Sequence, residues 1–178
     1  MATTIINLSS LNGSNGVRLD GAAERDYSGG SVSTAGDVNG DGYTDLIVSA
    51  PFADSNGSYS GSSYVVFGKA SGFSAAMDLS SLNGSNGFHL DGEAFDQSGR
   101  SVSTAGDVNG DGFDDLIVGV LGANSNSYGY SSGSSSSYVV FGQASGFSAA
   151  MNLSSLDGSN GFRLDGENER DESGSSFS

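Results

Sequence analysis

Asp37-Val38-Asn39-Gly40-Asp41-Gly42-Tyr43-Thr44-Asp45, followed at once by Leu46-Ile47-Val48-Ser49-Ala50, is the stretch on which the fold turns. Oxygen-bearing side chains fall at its first, third, fifth and ninth positions. Glycine at the sixth permits a sharp turn, and the carbonyl of the seventh is then free to point inward. That supplies about five to seven hard oxygen ligands, the set calcium prefers, whereas magnesium demands stricter octahedral geometry. Transition metals favour imidazole or thiolate. The chain has one histidine, His89, and no cysteine.

The stretch recurs as Asp107-Val108-Asn109-Gly110-Asp111-Gly112-Phe113-Asp114-Asp115. An Asp/Asn/Gly-rich turn without metal is the competing reading. Recurrence, with the ninth-position aspartate kept both times, argues against it. Three carboxylates in one short loop repel each other, and a divalent cation relieves that repulsion. Two Ca²⁺ per chain would bring the formal charge of −15 to about −11.

The spacing follows an EF-hand loop through position nine and then departs. Position twelve is Val48 or Val118, where a helical EF-hand needs a bidentate glutamate. A dockerin module shares D-x-N-x-D-G but also continues into helices. Here a β-branched run follows, so the loop is expected to join two strands as a metal-clasped hairpin.

Working outward, the whole chain is repetitive. Asn7–Gly21, Asp78–Gly92 and Asn152–Gly166 align, with Leu8, Leu79 and Leu153 standing 71 and 74 residues apart. Ser31–Val48 matches Ser101–Val118, and Ser63–Met77 matches Ser137–Met151. The extra length lies in the Ser/Gly/Asn/Tyr stretch Gly122–Ser137, expected to be a surface loop. Each repeat reads as four short strands: SVSTA, LIVSA or LIVGV, SYVVFG, and GVRLDG or GFHLDG. The second and third are near-continuous apolar runs, as in a sheet covered on both faces. The fourth alternates, as a half-exposed outer strand should. Ser74–Met77 and Leu8–Leu11 could form single turns. Sheets repeating at this spacing point to propeller blades, with a β-sandwich of two similar halves as the alternative.

Composition narrows the function. Lys and Arg number 6 against 21 Asp and Glu, which argues against nucleic acid and against an anionic membrane surface. No apolar run approaches a membrane span, and Met1–Ile6 carries no signal-peptide pattern. Thiol catalysis is excluded, no G-x-S-x-G elbow occurs, and His89 lacks an acid/base partner in its sequence context, so no enzyme is expected. Arg18, His89 and Arg163 share one place in strand four and are expected to face solvent. Asn12-Gly13-Ser14 and Asn83-Gly84-Ser85 fit a glycosylation acceptor but are expected to mark turns.

The order S-V-S, G-D-V-N-G-D-G-x-x-D-L-I-V-S-A-P, then S-Y-V-V-F-G resembles the FG-GAP repeat, the unit of the integrin alpha-subunit propeller and of many bacterial surface proteins. The resemblance runs from Leu8 onward. It implies an all-β fold of β-propeller blades, each of four antiparallel strands, with two full blades per chain and partial flanking strands. It implies metal ligation by Asp37, Asn39, Asp41, the Tyr43 carbonyl and Asp45, and by Asp107, Asn109, Asp111, the Phe113 carbonyl and Asp115. Two departures stand out. Ser28-Gly29 and Ser98-Gly99 replace an aromatic-glycine pair, altering that packing contact. Gly119-Val120-Leu121 replaces Gly-Ala-Pro at the second copy's strand-two exit.

The expected organisation is a leading outer strand and loop (1–29), a first blade (30–92, acidic loop 37–45), a second blade (99–166, acidic loop 107–115) and a partial next blade (167–178). A closed propeller needs about four to eight blades, so a homo-oligomer, or other blades of a longer array, is expected to complete a ring. The loops Ala22–Ser28, Glu93–Ser98 and Glu167–Ser173 and the one bearing Tyr128 and Tyr130 are expected on one face, as ordinary solvated loops or, alternatively, as a surface for a protein or glycan. The expected role is a calcium-binding, adhesion or interaction module that is extracellular or on the cell surface, where weak calcium sites fill. The alternatives are a glycan-binding propeller and a non-catalytic part of a secreted hydrolase.

Overall fold

The computed structural model describes residues 7–122, 135–167 and 173–176. The loop with Tyr128 and Tyr130, and most of the 167–173 loop, lie outside them. Among the described residues no helix is long and apolar enough to cross a membrane.

The chain folds as all-β. Strands β2 (Val32–Gly36), β3 (Asp45–Ala50), β4 (Ser62–Val66) and β6 (Gly87–Asp91) make the first blade, in antiparallel order. Strands β7 (Val102–Gly106), β8 (Asp115–Val120), β9 (Ser136–Val140) and β11 (Gly161–Asp165) make the second, with the same register. Val120 pairs with Ser136 as Ala50 pairs with Ser62, so the Gly119-Val120-Leu121 departure leaves the strand intact. Every residue of β4 and of β9 is buried, as continuous apolar runs require.

One element differs from the sequence reading. Ala76–Asp78, where a turn was expected, is a strand, β5, and its counterpart is β10 (Ala150–Asn152). Each is parallel to the outer strand of the preceding repeat: β5 to β1 (Arg18–Asp20), and β10 to β6. The connection between third and fourth strands thus reaches back and closes its neighbour's edge. β6 is therefore no edge: Phe88 and Leu90 are fully buried, and the half-exposed character expected of strand four belongs to β11, exposed beyond Gly161. Leu8–Ser10, by contrast, is the expected single 3-10 turn.

Period-two alternation sends Ile47, Val65, Phe88 and Leu90 to one face of the first blade. They meet Leu116, Val118, Val120, Tyr138 and Val140 of the second in one continuous core. Phe147, from the β9–β10 connection, stacks on Phe88 with centroids 4.1 Å apart. The opposite face of the first blade presents Val48, Ala50, Tyr64 and Val66, with Leu19 and Met77 packed against them.

The altered aromatic-glycine pair keeps its glycine for a steric reason. Gly99 has φ +87°, and a Cβ there would stand 2.9 Å from Ser49 Cβ and 2.9 Å from Ser63 Oγ across the blade interface. Gly29 has φ +89° and nothing within 4 Å. Gly29→Ala should therefore cost only the left-handed backbone penalty, about 1–2 kcal/mol. Gly99→Ala should lose a further ~1–3 kcal/mol to overpacking. Urea unfolding midpoints of the two variants check the difference.

Candidate metal loops

Both acidic loops join the inner strand of a blade to the next, at the same end of adjacent blades. Each begins at a break in strand register, between Thr34 and Gly36 and between Thr104 and Gly106. Gly40 and Gly42 have φ +71° and +86°, and Gly110 and Gly112 +77° and +93°. These left-handed positions fold each loop back on itself.

The side-chain oxygens turn inward. In the first loop, Asp41 N–H donates to Asp37 Oδ1 and to Asn39 Oδ1, both at 3.0 Å, so those two oxygens converge. Gly42 N–H donates to Asp37 Oδ2 at 2.9 Å, and Tyr43 N–H to Asp41 Oδ1 at 2.9 Å. The second loop repeats the pattern on Asp107, Asn109 and Asp111, at 2.9–3.0 Å.

The ninth-position aspartates behave differently. Asp45 is fully buried. Its Oδ2 accepts from Val38 N–H at 3.0 Å and its Oδ1 from Gly68 N–H at 2.8 Å. Asp115 does the same with Val108 and Gly142 N–H, both at 2.9 Å. Each carboxylate clips the start of its loop to the end of the third strand. The glycines are forced, since a Cβ on Gly68 would meet the Thr44 carbonyl at 2.5 Å, and one on Gly142 the Asp114 carbonyl at 2.4 Å. Burial raises the Asp45 pKa to about 6, outweighing the two N–H groups that favour its charge, and Asp115 moves in the same direction for the same reason.

Among the described residues, no three Asp, Glu or His side chains stand together as a ready metal cluster. Each loop gathers two carboxylates and an amide, with the third carboxylate on the clip. The donor chemistry nevertheless fits a hard cation. All the side-chain ligand atoms are oxygen, and a carboxylate oxygen that accepts one N–H, as those of Asp37 and Asp41 do, retains a lone pair for a metal. In the second loop Asp107 Oδ1 accepts two N–H groups and its Oδ2 one.

Sequence reasoning missed several other partners. His89 Nδ1 lies 3.0 Å from Asp91 Oδ1. Arg18–Asp20 and Arg163–Asp165 occupy the same place at 2.6 and 2.7 Å. Residues two apart on a strand share a face, so the R/H-x-D spacing was the available signal. Ser62 Oγ donates to the same Asp91 Oδ1 at 2.7 Å. Asn12 and Asn83 accept backbone N–H groups two residues on, which makes their N-G-S segments the expected turns.

At the other end of the blades, the loops after strands two and four meet. Gly92, Phe95, Gln97 and Ser98 N–H donate to the carbonyls of Gly61, Ser58, Tyr59 and Ser60 at 2.8–3.0 Å. Tyr27, Phe52 and Tyr59 form an edge-to-face series there, with centroids 5.1 and 6.1 Å apart.

A family model described as "FG-GAP repeat" matches residues 28–66 and 98–140. The chain is also similar to Integrin alpha-PS5 of Drosophila melanogaster, 36% identical over 100 residues, covering 53% of this chain and 9% of that protein. Integrin alpha-3 of Cricetulus griseus is 34% identical over 101 residues, 57% of this chain and 9% of that protein. Integrin alpha-V of Gallus gallus is 32% identical over 128 residues, 69% of this chain and 11% of that protein. The chain thus spans about a tenth of the length of these relatives.

Asp96, in the loop that follows β6, is 3% exposed, and burial raises its pKa to about 6. A folded-state value above the unfolded one means the folded chain binds the proton more tightly. The stability this adds is complete below about pH 4 and lost as pH rises through 6. Asp96→Asn should melt several degrees higher than the parent at pH 7 and level with it near pH 4. Thermal melts across that range, in chelator, test the sign.

Proposed function

We propose that this chain, which carries two FG-GAP repeats, is a calcium-stabilised propeller module serving adhesion or interaction outside the cell or at its surface, and not catalysis. The observation that carries the reading is the pair of like-folded D-x-N-x-D-G-x-x-D loops at one end of adjacent blades. Asp37, Asn39, Asp41, the Tyr43 carbonyl and Asp45 would hold one ion. Asp107, Asn109, Asp111, the Phe113 carbonyl and Asp115 would hold the other. The ion neutralises carboxylates that the fold crowds and buries, so binding is linked to folding. With few ligands and no bidentate glutamate, affinity falls near 10⁻⁴–10⁻³ M, roughly the extracellular range.

Self-association belongs to the same proposal. Val102 and Leu116 are buried at the interface between the blades, whereas their first-blade counterparts Val32 and Leu46 are 65% and 38% exposed. A further blade laid on that face, contributed by another copy, would cover them and extend the ring; three chains would supply six blades.

The partner is proposed to meet the end of the blades where the loops after strands two and four come together. Tyr27 and Tyr59 are exposed there, and tyrosine rings, apolar in body and polar at the tip, suit either a protein or a sugar ring. A glycan array separates the two readings. Tyr27→Ala with Tyr59→Ala should abolish sugar binding if the glycan reading holds, and no array signal from the parent would dismiss it.

Calorimetric titration with CaCl₂ should show two weak sites, and chelator should lower Tm. Light scattering in millimolar calcium should give a mass above the monomer. Unchanged melting and no heat would sink the calcium reading, and a strictly monomeric mass would sink ring completion alone.

A further inference from the structure

We propose that the two acidic loops are one coupled pair, in which filling the second loop prepares the first, with Asp114 as the strap between them. The inference rests on the calcium reading above and turns on Asp114, which lies outside the proposed ligand sets.

Asp114 is the eighth residue of the second loop, where the first has Thr44. Its Oδ2 accepts the N–H of Asp37, the first residue of the other loop, at 2.8 Å. Its own N–H donates to the Asp37 carbonyl at 3.2 Å, and Gln143 N–H donates to the Val38 carbonyl at 2.9 Å. The second loop therefore grips the first where its ligand series begins. The seventh residue, Phe113, also crosses over: a Cβ on Gly40 would stand 2.3 Å from its ring. A Cβ on Gly36 would likewise collide with the Asp114 carboxylate, 2.3 Å away. Gly36, the last residue of β2, and Gly40 of the first loop leave room for second-loop side chains. Their counterparts Gly106 and Gly110 have nothing within 4 Å.

The coupling follows from the chain itself. The Phe113 carbonyl belongs to the second ligand set, while the Phe113 ring and the next side chain rest on the first loop. A cation that fixes this carbonyl restrains the backbone at 113–114. That holds the ring on Gly40 and the carboxylate on Asp37 N–H. Asp37 is then ordered before its own ion arrives, and by reciprocity the first ion favours the second.

Terbium(III), an oxygen-seeking stand-in for calcium, reads the first loop selectively. Tyr43 sits in that loop and can sensitise a bound ion, while the second loop carries Phe113 in its place. In the full chain, Asp114→Ala should weaken Tyr43-sensitised terbium binding roughly five- to tenfold, in the usual range of coupling between sites. Asp114→Asn keeps an oxygen acceptor and should weaken it by about twofold or less, since the strap is geometric. Asn109→Ala with Asp111→Asn disables the second loop while leaving Asp114 in place. It should weaken the first loop as much as Asp114→Ala does. If both lesions leave first-loop affinity within about twofold of the parent, the coupling is overturned and the calcium reading stands. If Asp114→Ala is unfolded by circular dichroism, the second-loop lesion decides alone. If the parent shows neither Tyr43-sensitised emission nor heat with CaCl₂, the calcium reading falls and takes the coupling with it.

Discussion

A sheet that is apolar on both faces has nowhere to put one of them until another sheet is laid against it. That constraint runs through the whole molecule. β3 and β4 bury Ile47 and Val65 on one side and Val48, Tyr64 and Val66 on the other. The first of these faces is satisfied by the second blade. Glycine and serine at the contact let the backbones approach closely, as Gly99 does on Ser49 and Ser63. The single interface between the blades holds most of the large buried side chains. Each such side chain contributes on the order of 1.5–3 kcal/mol, so neither blade is a stable unit without a neighbour.

The architecture was legible because the repeats are nearly identical and their apolar runs are unbroken. Leu46-Ile47-Val48 and Tyr64-Val65-Val66 suit strands with cover on both sides. The parallel clasp was not legible. Ala76-Met77-Asp78 has neither β-branched residues nor alternation, and its strand exists only because a neighbouring edge offers unpaired backbone groups. Tertiary context decides such a segment, and propensity is silent about it. His89 had its aspartate two residues away, a partner that the i, i+2 geometry of a strand signals and the reading of the sequence passed over.

The acidic loops were legible in composition and in the turn, less so in the role of each side chain. Spacing placed five oxygens on one loop. It did not show that Asp45 and Asp115 spend both oxygens clipping the loop to the Phe-Gly end of the third strand. A buried carboxylate held by two N–H groups is itself a structural element, and its raised pKa records the desolvation it carries. Nor could spacing show that Asp114, outside the nine-residue ligand pattern, binds the neighbouring loop. That contact depends on how one blade is stacked on the other.

The backward reach of β10 onto β6 also sets an order in time. The edge of the first blade at Gly87–Asp91 is sealed by Ala150–Asn152, which leave the ribosome only after most of the second blade has been made. In a nascent chain the outer edge of the first blade therefore stays open until the second blade has largely been made, and the later blade fastens the earlier one. Until that clasp is in place the outer edge of the first blade offers unpaired backbone groups through which unfinished chains can stick to one another.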